Sequence, residues 1–337
     1  MTRPNPTIED VAREAGVSKA TVSAVLNDTA PVRDATRSRV QSVIERLQYR
    51  PRNSTHRVRL RKRKVIAAVI KEIDNPFFGD VVTGAEREAR RRGYSILIAN
   101  SESDFARERE VVDVLREKDV DGLIIDPVLD HTTDLEHFFH LRRRNFPFVL
   151  LQDIQGVPVN VVDVANIDAM REAVLHLIAS GRDRVTHFAG PANSMHTHQR
   201  AEGLRRAYSE CALVYRDSMI VPAGAHMIDG YTAAKARFSN ADPAQRPNGV
   251  TCFNDMVAIG VARALTELGL RVPDDVSIVG FDNIDTLDYL STPISSIAVP
   301  REEMGEIAAR MLIDQLESSQ PVSPQKVLLE GRLVLRG

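Results

Sequence analysis

Apolar side chains recur at Ile8, Val11, Ala12 and Ala15, the spacing of a helix with one buried face. Thr7 stands at the N-cap position, with Asp10 three residues on in a variant of the capping box. Gly16 supplies the left-handed residue on which helices often end. Val17 then packs under a turn, and Ser18 caps a second helix whose buried face is Val22, Val25 and Leu26. The other face of that helix offers Lys19, Ala20, Thr21, Ser23 and Ala24, all small or polar. Two short helices broken by one tight turn read as a helix-turn-helix, with an ordinary helical hairpin inside a larger fold as the alternative. After Asn27 the stretch D-T-A-P-V-R-D is turn chemistry, and a third helix is predicted over 34–47 on a stripe of Val40, Val43, Ile44 and Leu47. Tyr49-Arg50-Pro51 ends it.

At Val65 the pattern changes. V-I-A-A-V-I is a continuous apolar run of strand length, as in a parallel strand covered on both faces. From there strands and helices alternate. Strands are predicted at 65–70, 94–100, 120–126, 146–152 and 159–164, and helices over 79–92, 105–118, 134–144 and 167–180. A second series follows, with strands at 185–190, 218–222, 249–253, 276–281 and 294–299, and helices over 199–211, 229–239, 255–268 and 301–317. The tail V-L-L-E-G-R-L-V-L reads as two short strands or a hairpin. Repeated strand–helix alternation predicts an α/β core of two doubly wound units behind an all-α N-terminal segment.

Charge sharpens this division. Residues 1–64 hold 15 Lys and Arg against 6 Asp and Glu, whereas the remainder holds 29 against 40. A basic head on an acidic body suits a polyanion-binding segment joined to a domain that repels nucleic acid. The most basic run is 52–64, R-N-S-T-H-R-V-R-L-R-K-R-K, either a solvated linker or a segment that orders when phosphates neutralise its self-repulsion. No apolar run is long enough to span a membrane, and M-T-R-P-N-P-T lacks the apolar core of a signal peptide, so a cytoplasmic protein is expected. The two cysteines, Cys211 and Cys252, are then expected to stay reduced.

Ligands of such sheets bind at the carboxyl ends of strands. Here those ends carry Asn75, Asp126, Asp153, His196, Asn254-Asp255 and Asp282-Asn283, with Arg200 nearby and Phe77 and Phe78 as flat apolar surface. This mixture suits a small polyhydroxylated or polar ligand, such as a sugar or similar polar metabolite, better than a phosphate. Asp255 reads as a helix cap beside the cleft, and Asp282 as the residue facing ligand. The histidine groups His131, His137, His140 and His187, His196, His198 lack zinc-motif spacing and cysteine pairs. No G-x-G-x-x-G follows a strand and no Walker lysine motif occurs, so neither a metal enzyme nor a dinucleotide enzyme is supported, and no cofactor is expected. A periplasmic sugar-binding protein would share the core but not the basic head.

The motifs T-I-E-D-V-A-R-E-A-G-V-S-K-A-T-V-S with V-L-N, T-R-S-R-V, Y-R-P, N-P-F-F, V-D-G-L-I-I, H-L-I-A-S-G, R-A-E-G, F-N-D-M-V-A-I-G and V-P-D-D-V-S-I-V-G-F-D-N-I follow one another through the chain. In that order they resemble the lactose-repressor (LacI/GalR) family of bacterial transcription factors over essentially the whole length. The resemblance implies a helix-turn-helix DNA-binding headpiece (1–50), a basic hinge (51–64) and a core of periplasmic-binding-protein-like type I fold. The core's two subdomains are expected at 65–161 plus 292–322 and at 162–291 plus 323–337, the chain crossing between them three times. It further implies a homodimer on a near-palindromic double-stranded DNA operator, most members being repressors. The second helix would lie in the major groove, paired hinges would pry open the minor groove, and a sugar-like effector in the core cleft would bias the hinges. The lack of an apolar heptad tail near Gly337 points to a dimer and not a tetramer.

On this resemblance the DNA-contacting candidates are Thr7, Ser18, Lys19, Ala20, Thr21, Ser23, Ala24 and Asn27, with Arg57, Val58 and Leu60 in the hinge. The effector candidates are Asn75, Phe77, Phe78, Asp153, His196, Arg200, Asn254 and Asp282. The chain also departs from the family pattern. Ala24 stands where most members place an arginine, Arg33 replaces a serine cap, and Val58 aligns with the wedge leucine, with Leu60 two residues on. Ala225 stands about where many members carry an aromatic wall. With Lys19 the only charge left on the reading face, affinity is expected to lean on phosphates and to depend steeply on salt.

Overall fold

The computed structural model describes residues 6–27, 32–47, 49, 63–118, 120–129, 135–154, 156–239, 242, 245–320 and 322–337. The chain divides into two compact units, Met1–Arg63 and Lys64–Gly337.

The first unit contains α1 (Ile8–Ala15), α2 (Lys19–Asn27) and α3 (Asp34–Leu47). Thr7 caps α1 in the box anticipated from sequence, its hydroxyl oxygen accepting from Asp10 N–H and its own N–H donating to the Asp10 carboxylate. Gly16 ends the helix at φ 62°, which a side chain would resist. Val11, Ala12, Ala15, Val22, Val25, Val40 and Val43 form one buried core, so the three helices fold on each other. That shared core makes the described part of this segment a folded unit.

In the second unit, β1 (Val65–Ile70), β2 (Ser95–Asn100), β3 (Gly122–Ile125), β4 (Phe148–Leu150), β5 (Asn160–Val164) and β11 (Lys326–Leu329) form one sheet in the order β11-β5-β4-β3-β1-β2. The other sheet has the order β12-β10-β9-β8-β6-β7, from β6 (Val185–Ala189), β7 (Ile220–Pro222), β8 (Gly249–Cys252), β9 (Ser277–Asp282), β10 (Ser295–Ala298) and β12 (Arg332–Val334). All pairings are parallel except β10 with β12. The central strands β1 and β3 are buried nearly throughout, because helices α4 (Pro76–Arg91), α5 (Phe105–Glu117), α6 (Glu136–Arg143) and α11 (Arg301–Glu317) cover their sheet. The second sheet is covered by α7 (Asn166–Ala179), α8 (Met195–Glu210), α9 (Met227–Ser239) and α10 (Asp255–Glu267).

The strands show where the chain crosses between sheets: after β5, between β10 and α11, and between β11 and β12. Three expected boundaries are corrected. Residues 162–164 complete β5 and pair with β11 in the first sheet, so they leave the segment expected to begin at 162. Residues 295–298 pair with β9 in the second sheet, so they do not belong with 292–322 in the first. Residues 326–329 pair with β5 in the first sheet, so they leave the expected segment 323–337. The tail strands are therefore not a hairpin, and Glu330 and Gly331 carry the chain from one sheet to the other. Among the described residues no helix is long and apolar enough to cross a membrane.

Candidate functional site

Three helix N-termini bring polar groups to a cleft between the two sheets. Asn75 caps α4, its Oδ1 accepting from Phe77 N–H at 3.1 Å. That cap starts the helix at Pro76 and sets Phe77 and Phe78 in its first turn, rings edge to face at 5.1 Å. Asn254 caps α10, accepting from Val257 N–H at 2.9 Å, while its Nδ2 donates to the Ala225 carbonyl at 2.9 Å. The first turns of α8 present His196 and Arg200.

Arg200 is the best-secured group. Its guanidinium lies between the rings of Phe281 and Phe253, at 3.5 and 4.8 Å from their centres. Its Nε donates to Asn166 Oδ1 at 2.9 Å and its Nη1 to the Phe253 carbonyl. Burial pulls its pKa down to about 10, against the pull of the Asp282, Asp163 and Asp255 carboxylates. His196 Nε2 sits 3.2 Å from Asp163 Oδ1. Burial pushes the Asp163 carboxyl up, but His196 and the N–H groups of Asp153 and Val164 together outweigh it and hold the pKa below the usual range.

Beside these residues lies a cavity of about 270 Å³. Of the effector candidates, Asn75, Phe77, Phe78, His196, Arg200, Asn254 and Asp282 are brought together there, and Ala225 lines it too. Asp153 is not, which corrects that assignment. Its carboxylate turns away to Lys326 Nζ at 2.7 Å, beyond the end of β4. Its neighbour Gln152 lines the cavity instead. Gln152 is buried, and its Nε2 has no hydrogen-bond partner among the described residues. Sequence reading missed it, although a polar residue next to a strand-end aspartate is the available signal. It also missed Lys71, whose Nζ pairs with Asp126 at 3.1 Å on the cavity wall. The apolar wall is Val128, Leu129, Leu151, Val164, Val299 and Met304, which have no signature beyond hydrophobicity.

The histidines serve separate local partners. His137 Nε2 lies 3.0 Å from buried Glu108, which also accepts from the Val128 N–H at 2.7 Å and so anchors the cavity wall. His140 pairs with Glu136, and His187 is buried against Thr251. His131 lies outside the described residues.

Two carboxyls near Arg200 carry a pH signature. Burial pushes Asp255 up to about 7. It pushes Asp282 up to about 8, with Arg200 opposing and the Asp255 charge adding to the rise. Unfolded, both titrate at about 4. Between those values the folded state holds more protons, so stability falls as pH rises through 7 and 8. His187 acts in the opposite sense, held down to about 3 by burial and then by Arg200. Below about pH 6.5 the unfolded chain protonates that histidine and the folded one does not, so His187 offsets part of the stability that the two carboxyls contribute as pH falls. The ligand-free protein is therefore expected to melt several degrees lower at about pH 8.5 than at about pH 6.5. A melting temperature that rises over that interval in scanning calorimetry would contradict these assignments.

In the helical unit, α2 buries Val22 and Val25 and leaves Lys19 and Ala20 exposed, with Thr21, Ser23 and Ala24 half-buried. Thr7 is occupied as a cap, and Ser18 Oγ lies 2.8 Å from Thr21 Oγ1 while accepting from Thr21 N–H. Lys19 Nζ pairs with Glu9 on α1 at 2.5 Å. The side chain of Asn27, and Arg57, Val58 and Leu60, lie outside the described residues.

Comparison with known proteins places both halves. Residues 7–52 match the family described as bacterial regulatory proteins, lacI family, and residues 174–337 match a periplasmic binding protein-like domain. The HTH-type transcriptional repressor CytR of Escherichia coli (strain K12) is 30% identical over 98% of this chain and 95% of its own. The solved complex of the transcriptional regulator CelR with cellobiose is 28% identical and superposes with a TM-score of 0.72, covering 98% of this chain and 99% of that one. The crystal structure of the lac repressor dimer bound to operator and the anti-inducer ONPF is 25% identical with a TM-score of 0.72, covering 99% and 98%.

Proposed function

Because this chain belongs to the lacI family of bacterial regulatory proteins, and is therefore a DNA-binding transcriptional regulator and not an enzyme, we propose that it represses transcription from a near-palindromic operator as a homodimer, under control of a small polar effector held in the core cleft. The observation that carries the effector reading is the cavity itself. Its walls come from both sheets, with Phe77, Phe78, Val128 and Leu129 on one side and Arg200, Asn254 and Asp282 on the other. A ligand touching both walls is bound better by one relative placement of the sheets than by another, which is the condition for linkage to DNA binding.

The lining also favours a ligand shape. Hydroxyls would meet the cation, amide and carboxyl of the second wall, and an apolar C–H face would meet the phenylalanines of the first. A sugar-like ring has both. The cellobiose complex of the similar regulator CelR supports that class. For the dimer, β2 is an edge strand whose Leu97 and Ile98 are 45% and 51% exposed, an apolar strip suited to a second copy.

The test is a thermal-shift screen of sugars, nucleobases and related metabolites, followed by mobility shift on genomic fragments with and without each hit. A specific ligand raises the melting temperature by mass action. The expected outcome is a sequence-specific shift by a dimer, altered by one class of hit. A monomer in light scattering, or hits that leave the shift unchanged, would sink the proposal.

A further inference from the structure

Asp255 has no exposed surface and does not line the cavity. Nor is it the cap of α10, a role its neighbour Asn254 fills. Its carboxylate instead reaches the turn that follows β9. Oδ2 accepts the Ile284 N–H at 2.8 Å, and Oδ1 accepts the Ser296 hydroxyl at 2.6 Å. The Ser296 oxygen in turn accepts the Asn283 N–H at 3.0 Å. One carboxylate thus fixes two successive backbone donors, one directly and one through a hydroxyl.

The turn it fixes is strained. Asp282 stands at φ 105° and Asn283 at φ 54°, in the half of conformational space that side chains resist. Such a pair persists only where surrounding contacts over-determine it. The sequence also leaves room for the clamp: a Cβ on Gly280 would fall 2.0 Å from Asp255 Oδ1, so only glycine lets the carboxylate pass β9. Asp282, the residue so placed, lines the cavity and shares it with Arg200.

We propose that Asp255 is a positioning residue for effector recognition, holding through Ile284 and through Ser296–Asn283 the left-handed turn that aims the Asp282 carboxyl into the cleft beside Arg200. The inference rests on the reading of the cleft as the effector site. The charged groups around Asp255 are Asp282 at the end of β9, Arg301 on α11 and Arg336 after β12. Asp282 is faced by Arg200 on α8, Asp255 on α10 and Arg301. An Asp255→Asn substitution keeps the shape but offers one acceptor oxygen in place of two, and it removes the like charge that Asp282 feels.

The experiment uses the full chain without ligand, so it does not wait on the effector's identity. Amide hydrogen exchange is followed residue by residue, and the Asp282 carboxyl is titrated by carbon NMR, in wild type, Asp255→Asn and Ser296→Ala. The expected result is exchange at least ~10-fold faster at Asn283 in both variants and at Ile284 in Asp255→Asn, with the β8 and β9 amides unchanged. The Asp282 midpoint should fall by about 0.5 pH or more in Asp255→Asn and stay put in Ser296→Ala, because only the first removes a charge. Unchanged exchange at 283 and 284, exchange accelerated evenly across the second sheet, or an Asp282 midpoint indifferent to Asp255→Asn would each overturn the proposal. A screen in which no small molecule binds the cleft would defeat the effector reading separately, with the exchange pattern still reporting on the clamp.

Discussion

Replacing Arg200 with alanine is expected to lower effector affinity by on the order of 100-fold or more and to destabilise the core by about 3 kcal/mol. The guanidinium is buried, held by Asn166 and the Phe253 carbonyl, and flanked by two rings. Truncation removes ring packing, orphans the Asn166 oxygen and leaves Asp282 buried without its nearest cation. With its pKa already at about 8, Asp282 is mostly neutral near pH 7 and is not left as a bare charge, which keeps the loss at the lower end of the range for a broken buried pair. Two measurements separate the consequences. Urea unfolding reads stability, and calorimetry with a confirmed hit from the thermal-shift screen reads binding. Arg200→Met keeps the stem between Phe253 and Phe281 and should recover part of the stability but none of the affinity. Ligand affinity equal to wild type in both variants would remove Arg200 from the site.

Much of this site was visible in the sequence, for a physical reason. Cleft residues of wound sheets sit where strands end and helices begin, and those boundaries carry their own chemistry in caps and turns. Asn75 before Pro76, Asn254 before Asp255 and Asp282 at the end of an apolar run were legible in that way. The helices α4 and α8 start about a turn earlier than expected, at 76 and 195; the Asn75 cap marks the start of α4, whereas Ser194 before α8 makes no side-chain cap bond. Asp153 failed by one residue. β4 ends at Leu150 and the chain bends at 151 and 152, so the two-residue alternation of a strand does not assign sides there: Leu151 and Gln152 both line the cavity, and Asp153 does not. The assignment of β10 and β11 to sheets was illegible for another reason. A short apolar strand states that it will be covered, not which sheet it will join, and only the pairing with β9 and β5 decides that. Asp255 shows the same limit, because its partners Ile284 and Ser296 are distant in sequence and no local pattern links them.

A fragment beginning at Val65 is expected to lose sequence-specific DNA binding altogether and to keep its effector affinity within about twofold. The first half of that expectation rests on charge and shape together. Residues 1–64 carry all of the excess positive charge, 15 basic against 6 acidic residues, and the remainder is acidic, 40 against 29. Affinity for DNA comes largely from phosphate neutralisation, with base-edge contacts adding specificity, so the fragment would lack both contributions and would meet the polyanion with a repelling surface. Loss should exceed about 1,000-fold at low salt, since six to ten phosphate contacts alone account for that scale of salt-sensitive affinity. The second half rests on where the cavity residues lie. Every lining residue falls between Lys71 and Met304, and the buried clusters beneath them draw on residues after Val65. The core should therefore melt at the temperature of the intact protein's core and show the same ligand-induced rise. Mobility shift on genomic fragments reads the first half and thermal shift the second. A specific shift produced by the fragment would mean that operator recognition resides in the acidic core, and the division of labour between the two units would have to be abandoned.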